Sequence, residues 1–240
     1  GSASDLVGRA VADAATKPGG TRFRVRNRPR EIALKEIEDA APDGCTLLLD
    51  TQIQVAFDVL GKSATDWRDF KPVALLIRTP MAIALSAGES LPIAPEGKET
   101  RLPSLSEIVS QLREKPESVT FALVEDPLEQ LLFLTMEEAL SARFRIRSFP
   151  NGISRYREMI SGPAGVAGFV SIKAAAAHSQ DMKLNVLAVS GASEQKKLAG
   201  VPTIGPETGG LKFGMDHGLF GPREMSDEIV KSLGEIMRQV

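Results

Sequence analysis

The sequence predicts an α/β protein, and three observations predict it. Short uninterrupted apolar runs of strand length recur along the chain. Segments with helix start signals lie between them. The composition, 42% hydrophobic and 25% charged residues in 240, is that of a chain with a packed core. That length holds one large α/β domain or two of ordinary size.

Candidate strands fall at 23–25, 46–49, 73–77, 81–85, 119–124, 144–149, 168–172 and 184–189. Several, such as 81–85, are apolar throughout, as expected of strands covered on both faces. Ala41-Pro42-Asp43-Gly44 reads as a helix exit and a tight turn leading into the 46–49 run. Cys45 sits at its start and reads as a buried, inert thiol. Ser104-Leu105-Ser106-Glu107 fits a capping box, with Leu105, Ile108, Val109 and Leu112 as the apolar stripe of the helix that follows. Asp126-Pro127-Leu128-Glu129 reads as an N-cap, a proline at the first helical position and an acid in the first turn. His178 closes an alanine-rich helical stretch at 174–177, where a cation suits the helix C-terminus. Met225, Ser226 and Val230 fit a hydrophobic staple around an N-cap serine.

Two breaks in composition divide the chain. The first, 88–103, carries three prolines and two glycines without periodicity, and the second runs from 190 to 206. Short segments of this kind mark crossings between lobes. They predict one lobe from 1–87 with 191–240, and a second from 88–190. The sequence shows no internal repeat.

Several function classes fall away. A formal net charge of −2 gives no general attraction to nucleic acid or anionic membrane. Arg22, Arg24, Arg26, Arg28 and Arg30 alternate with Phe23 and Val25, which reads as the solvated face of an edge strand. One cysteine and two histidines, none at ligand spacing, predict neither a disulfide nor a metal site. No apolar run reaches the length of a membrane span, so direct insertion is not expected. Asp216 beside His217 does not read as a catalytic pair, because neighbours on a strand point to opposite faces. There is no Gly-x-Ser-x-Gly elbow and no P-loop, and the glycine-rich 162–168 stretch reads as a turn. No enzyme activity and no cofactor are expected.

Collinear segments then carry a family resemblance. They are Ser4-Asp5-Leu6-Val7-Gly8-Arg9-Ala10-Val11-Ala12, Val25-Arg26-Asn27-Arg28-Pro29, the 41–49 turn and strand, and Asp66-Trp67-Arg68-Asp69-Phe70 with the strand after it. Leu187-Ala188-Val189-Ser190, Gly200-Val201-Pro202-Thr203-Ile204 and Gly218-Leu219-Phe220-Gly221-Pro222 complete the set. In this order they resemble the extracytoplasmic solute receptors of tripartite tricarboxylate transporters, the Bug-type periplasmic binding proteins.

The resemblance implies a two-lobed periplasmic-binding-protein-like fold, with two inter-lobe crossings and a cleft that closes on a small organic acid or amino-acid-like ligand. It also implies membrane transporter subunits as partners and a periplasmic location, any leader having been removed ahead of Gly1. A strand before Gly1 and a segment after Val240 belong to the same pattern.

Carried over residue by residue, the ligand positions are Ser2, Ala3, Ser4 and Asp5 at the first helix, and Thr51 and Gln52 after the 46–49 strand. Val124, Glu125, Asp126 and Ser171 supply the second lobe. Ser4 reads equally as a helix cap. A carboxylate suits the unpaired N–H groups of a helix N-terminus. The second lobe departs from the pattern here. Where the family has a small Gly/Ser-rich loop, this chain has Glu125-Asp126, so Asp126 is expected to cap its helix and to repel a second carboxylate. Glu125 is expected to meet an amine or other cation on the ligand. Val170-Ser171 stands where the family has an aspartate, and the loop after Asn27-Arg28-Pro29 lacks the family's glycines. These departures motivate an alternative, a ligand-free protein-interaction or sensor module on the same fold.

Overall fold

The computed structural model describes residues 3–16, 21–61, 66–87, 102–192 and 195–240. In chain order its elements are α1 (Ala3–Ala15), α2 (Arg30–Glu38), β1 (Leu48–Thr51), α3 (Ile53–Val59), β2 (Phe70–Thr79), β3 (Met81–Ser86) and α4 (Leu105–Glu114). There follow β4 (Thr120–Val124), α5 (Pro127–Leu140), β5 (Arg145–Phe149), α6 (Gly152–Ser161), β6 (Val166–Ser171), α7 (Ile172–Gln180), β7 (Leu184–Val189), β8 (Met215–Pro222) and α8 (Asp227–Arg238). The predicted α/β class holds.

The chain forms two compact units, Gly1–Arg78 with Met215–Val240, and Thr79–Gly214. The boundaries differ from those set by composition. Residues 79–87 and 191–214 join the second unit because backbone pairing, rather than proline content, decides membership. β3 pairs with β6 and β7, and the 203–213 stretch bonds back to Val189 and Ser190. Residues 88–101 of the first break lie outside the described residues. Gly214 ends the second unit where a Cβ would stand 2.5 Å from the Thr79 carbonyl oxygen, so only glycine fits.

The first unit is built on a three-stranded sheet in the order β1-β8-β2, with β1 and β8 antiparallel. Leu219, Ala15 and Met237 form its buried cluster, with Val11, Phe23, Leu49 and Ile236 packed around them. β8 is not among the apolar runs marked as strands, although Asp216 and His217 lie on a strand as read from the sequence. The 21–29 segment, expected to supply an edge strand, forms no ladder. Its alternation survives as half-buried Phe23 and Val25 between exposed arginines. Cys45 is exposed, not buried. Its thiol hydrogen-bonds the Asp43 carboxylate, and that neighbouring charge pushes its pKa up.

The second unit carries a five-stranded mixed sheet, β5-β4-β6-β3-β7. β4 runs parallel to β5 and β6, while β3 is antiparallel to β6 and β7. One face packs on an aromatic cluster. Phe121 lies 4.7 Å from Phe133 of α5 and 5.0 Å from Phe169 of β6, centroid to centroid. The opposite face, with Ala82, Ala84, Ala122 and Val170, packs on Met159 and Tyr156 of α6 and Ala175 of α7. A Cβ at Gly168 would stand 2.7 Å from Met159 Sδ, so that strand is kept thin where the helix presses closest.

Candidate functional site

β4 and β6 are neighbouring parallel strands, and the helices that leave their carboxyl ends go to opposite faces of the sheet. α5 covers the aromatic face and α7 the alanine-rich face. This divergence marks a topological switch point at the strand ends, the place where open α/β sheets bind ligands. Val124, Glu125 and Asp126 lie at one side of it and Ser171 at the other. The structure therefore brings the four predicted positions of the second unit to one switch point.

The two helix entries differ in what they offer. At α5 the backbone donors are already used. Val124 N–H donates to Glu129 Oε1 (3.0 Å), Glu125 N–H to the Phe149 carbonyl (2.9 Å) and Asp126 N–H to the Val124 carbonyl (2.8 Å). Asp126 caps the helix as expected, accepting from Glu129 N–H at 3.0 Å, and Pro127 has no N–H to give. Glu129 in turn pairs with Arg155 of α6, both nearly buried. Glu125 is exposed. This entry presents carboxylates and few donors.

At α7 the cap is neutral. Ser171 Oγ accepts from Ala174 N–H at 3.2 Å, and the first turn carries exposed Lys173 and no acid. A cation at a helix N-terminus works against the dipole, an arrangement that a bound anion relieves.

In the first unit, Ser2 lies outside the described residues. α1 begins at Ala3, which places Ser4 within the first helical turn and not at the cap. Asp5 accepts from Asn27 Nδ2 (2.8 Å) and from Arg9 (3.0 Å), and these partners hold its carboxyl below the usual carboxylate range. Thr51 ends β1 and its hydroxyl accepts from Ile53 N–H at 3.4 Å. Gln52 Oε1 accepts from Asp216 N–H at 2.8 Å. Both residues border an apolar cavity within the first unit.

His217, opposite Thr51 in the β1–β8 register, is 2% exposed, and neither ring nitrogen has a hydrogen-bond partner. Burial pushes its pKa down, against the pull of Asp50 and Asp216. Asp216 turns to the other face of β8 and forms a two-point ion pair with Arg78, at 2.6 and 2.7 Å. The two residues form no catalytic pair. Among the described residues no group of three His, Cys, Asp or Glu side chains is placed to hold a metal ion, and no helix is long and apolar enough to cross a membrane.

Sequence reading missed the switch point itself, because it depends on strand order. It missed the consumption of the Val124–Asp126 donors, whose partners Phe149 and Glu129 are set by tertiary pairing. It also missed Lys173, for which the absence of any acid in its turn was the available signal.

No protein-family model matches the chain. A UPF0065 protein of Bordetella bronchiseptica is 24% identical over 249 residues, an alignment that spans the whole chain and 70% of that protein. A TctC solute-binding protein from Polaromonas superposes with a TM-score of 0.79 at 20% identity, over 100% of this chain and 80% of the other. MatC from Rhodopseudomonas palustris, solved with bound malate, gives a TM-score of 0.65 at 20% identity over the same shares of the two chains. The fold of the chain is that of the two-lobed TctC and Bug-type solute-binding proteins.

Proposed function

We propose that the protein is an extracytoplasmic receptor that binds a small organic acid and delivers it to a transporter of the tripartite tricarboxylate type, without catalysing a reaction. The α7 entry carries this reading. In a chain with the fold of solute-binding proteins throughout, it pairs a serine cap and a helix N-terminus with a lysine, at the switch point where such sheets take ligands. MatC, which shares the fold, holds malate, a dicarboxylate, and one of its carboxylates is the kind of group such an entry suits.

The proposed contacts in the second unit are Ser171 and the first turn of α7. The α5 entry sets selectivity. Glu125 and Asp126 disfavour a second carboxylate and favour a ligand whose far end is neutral or carries an amine.

The spent donors of 124–126 favour a second reading, a module that has given up small-molecule binding and acts through protein contacts. One screen separates the two. Isothermal titration with acetate, malate, citrate and zwitterionic amino acids should give saturable binding to a monocarboxylate or amino acid, lost in Ser171→Ala. Malate or citrate bound more tightly than any of these would sink the selectivity argument. Silence across all classes would favour the interaction module.

A further inference from the structure

The two faces of the first unit's sheet are unlike. Strand alternation turns the Leu48–Phe220 and Asp50–Gly218 pairs to one face, and the Leu49–Leu219 and Thr51–His217 pairs to the other. The second face is filled by the cluster around Ala15 and Met237. The first borders a cavity of about 230 Å³. Leu34 of α2, Leu48, Val55 of α3, Phe70, Pro72 and Phe220 supply much of its wall, and Trp67, the one tryptophan in the chain, stands at its rim, 38% exposed.

The carboxylates in the wall are paired with arginines beside it. Arg30 pairs with Asp50 at 2.7 Å and also donates to Gln54. Arg78 pairs with Asp216, and Gln52 bonds the Asp216 backbone. The space is therefore lined mostly by hydrocarbon, and the arginines beside it are already paired with its carboxylates.

The geometry points to a second binding site, for an uncharged apolar molecule built on one aromatic or alicyclic ring. Size sets that class. An apolar cavity of about 150 Å³ stays dry and takes up benzene, so this volume suits a ring with one or two small substituents. Burying such a ring replaces lost dispersion contacts along the wall and removes apolar surface from water on both sides. This site belongs to the first unit and the α7 entry to the second, and they call for different ligand chemistry, so either can fail alone.

Toluene is the probe, and benzoate its anionic counterpart. Toluene should raise the thermal midpoint by a few degrees and shift the Trp67 emission, while benzoate should leave the emission unchanged. Val55→Phe fills the cavity from α3 and should abolish the toluene response while leaving the organic-acid titration intact. Leu34→Phe tests the same point from α2 if the first variant fails to fold. No response to toluene, or a response that survives both fillings, overturns the assignment. So does a concentration-dependent increase in mass that the fillings abolish, which would mean that a second copy of the chain covers the cavity.

Discussion

Helices α5 and α7 leave neighbouring parallel strands at the same end of one sheet, yet their first turns are opposites. α5 starts with an aspartate cap, a proline and a glutamate, and the strand end before it spends its N–H groups on internal acceptors. α7 starts with a serine cap and a lysine. Topology places both at one switch point of the sheet, and in the proposed reading only the α7 entry receives an anion. A fold can thus bring two helix entries together while a handful of residues make their charge and donor patterns opposite.

The largest effect should come from the buried pair behind the closed entry. Arg155→Met leaves the Glu129 carboxylate buried without its cation, and should lower stability by about 3–5 kcal/mol in urea unfolding. Adding Glu129→Gln should recover most of the loss. If it does not, packing and not charge holds α5 to α6.

Next come the caps. Asp126→Ala and Ser171→Ala should each cost about 1 kcal/mol, but only the second should weaken ligand binding. Asp126→Asn keeps a capping oxygen and removes the charge. It should tighten dicarboxylate binding several-fold, and an unchanged affinity would show that the acidic entry plays no part in selectivity.

The smallest effect concerns His217. Its native pKa lies below the ordinary value of about 6.5, so on acidification the unfolded chain takes up more proton than the native one. Stability should hold above that pH and fall as pH drops below it, until the native imidazole also protonates. Urea midpoints between pH 5 and 8 should lose part of this slope in His217→Leu.

Much of this comparison was legible in the residues. Asp126-Pro127-Leu128-Glu129 announces its cap, and the run at 119–124 announces its strand, because both signals are local. Other parts were not. β8 contains Asp216, His217 and Gly218, which break the apolar alternation, and it becomes a strand through pairing with β1 across more than 160 residues of chain. The 21–29 segment shows the converse. Alternation assigned its faces correctly but could not supply a partner for its backbone. α3 has no capping side chain, and α6 starts on Gly152 behind an asparagine cap, an Asn-Gly pair that reads as a turn. The switch point needs the order β5-β4-β6-β3-β7, which no local pattern encodes.

That strand order also sets a schedule for synthesis. β3 is the most completely buried strand of the first half of the chain, yet its ladder partners, β6 and β7, begin about 80 and 100 residues after it ends. At about 5–20 residues per second, Met81-Ala82-Ile83-Ala84-Leu85 leaves the ribosome several seconds before anything exists to pair with it. During that interval the segment is an uncapped apolar strand, the form of chain that holdase chaperones bind and that aggregates first when they are scarce.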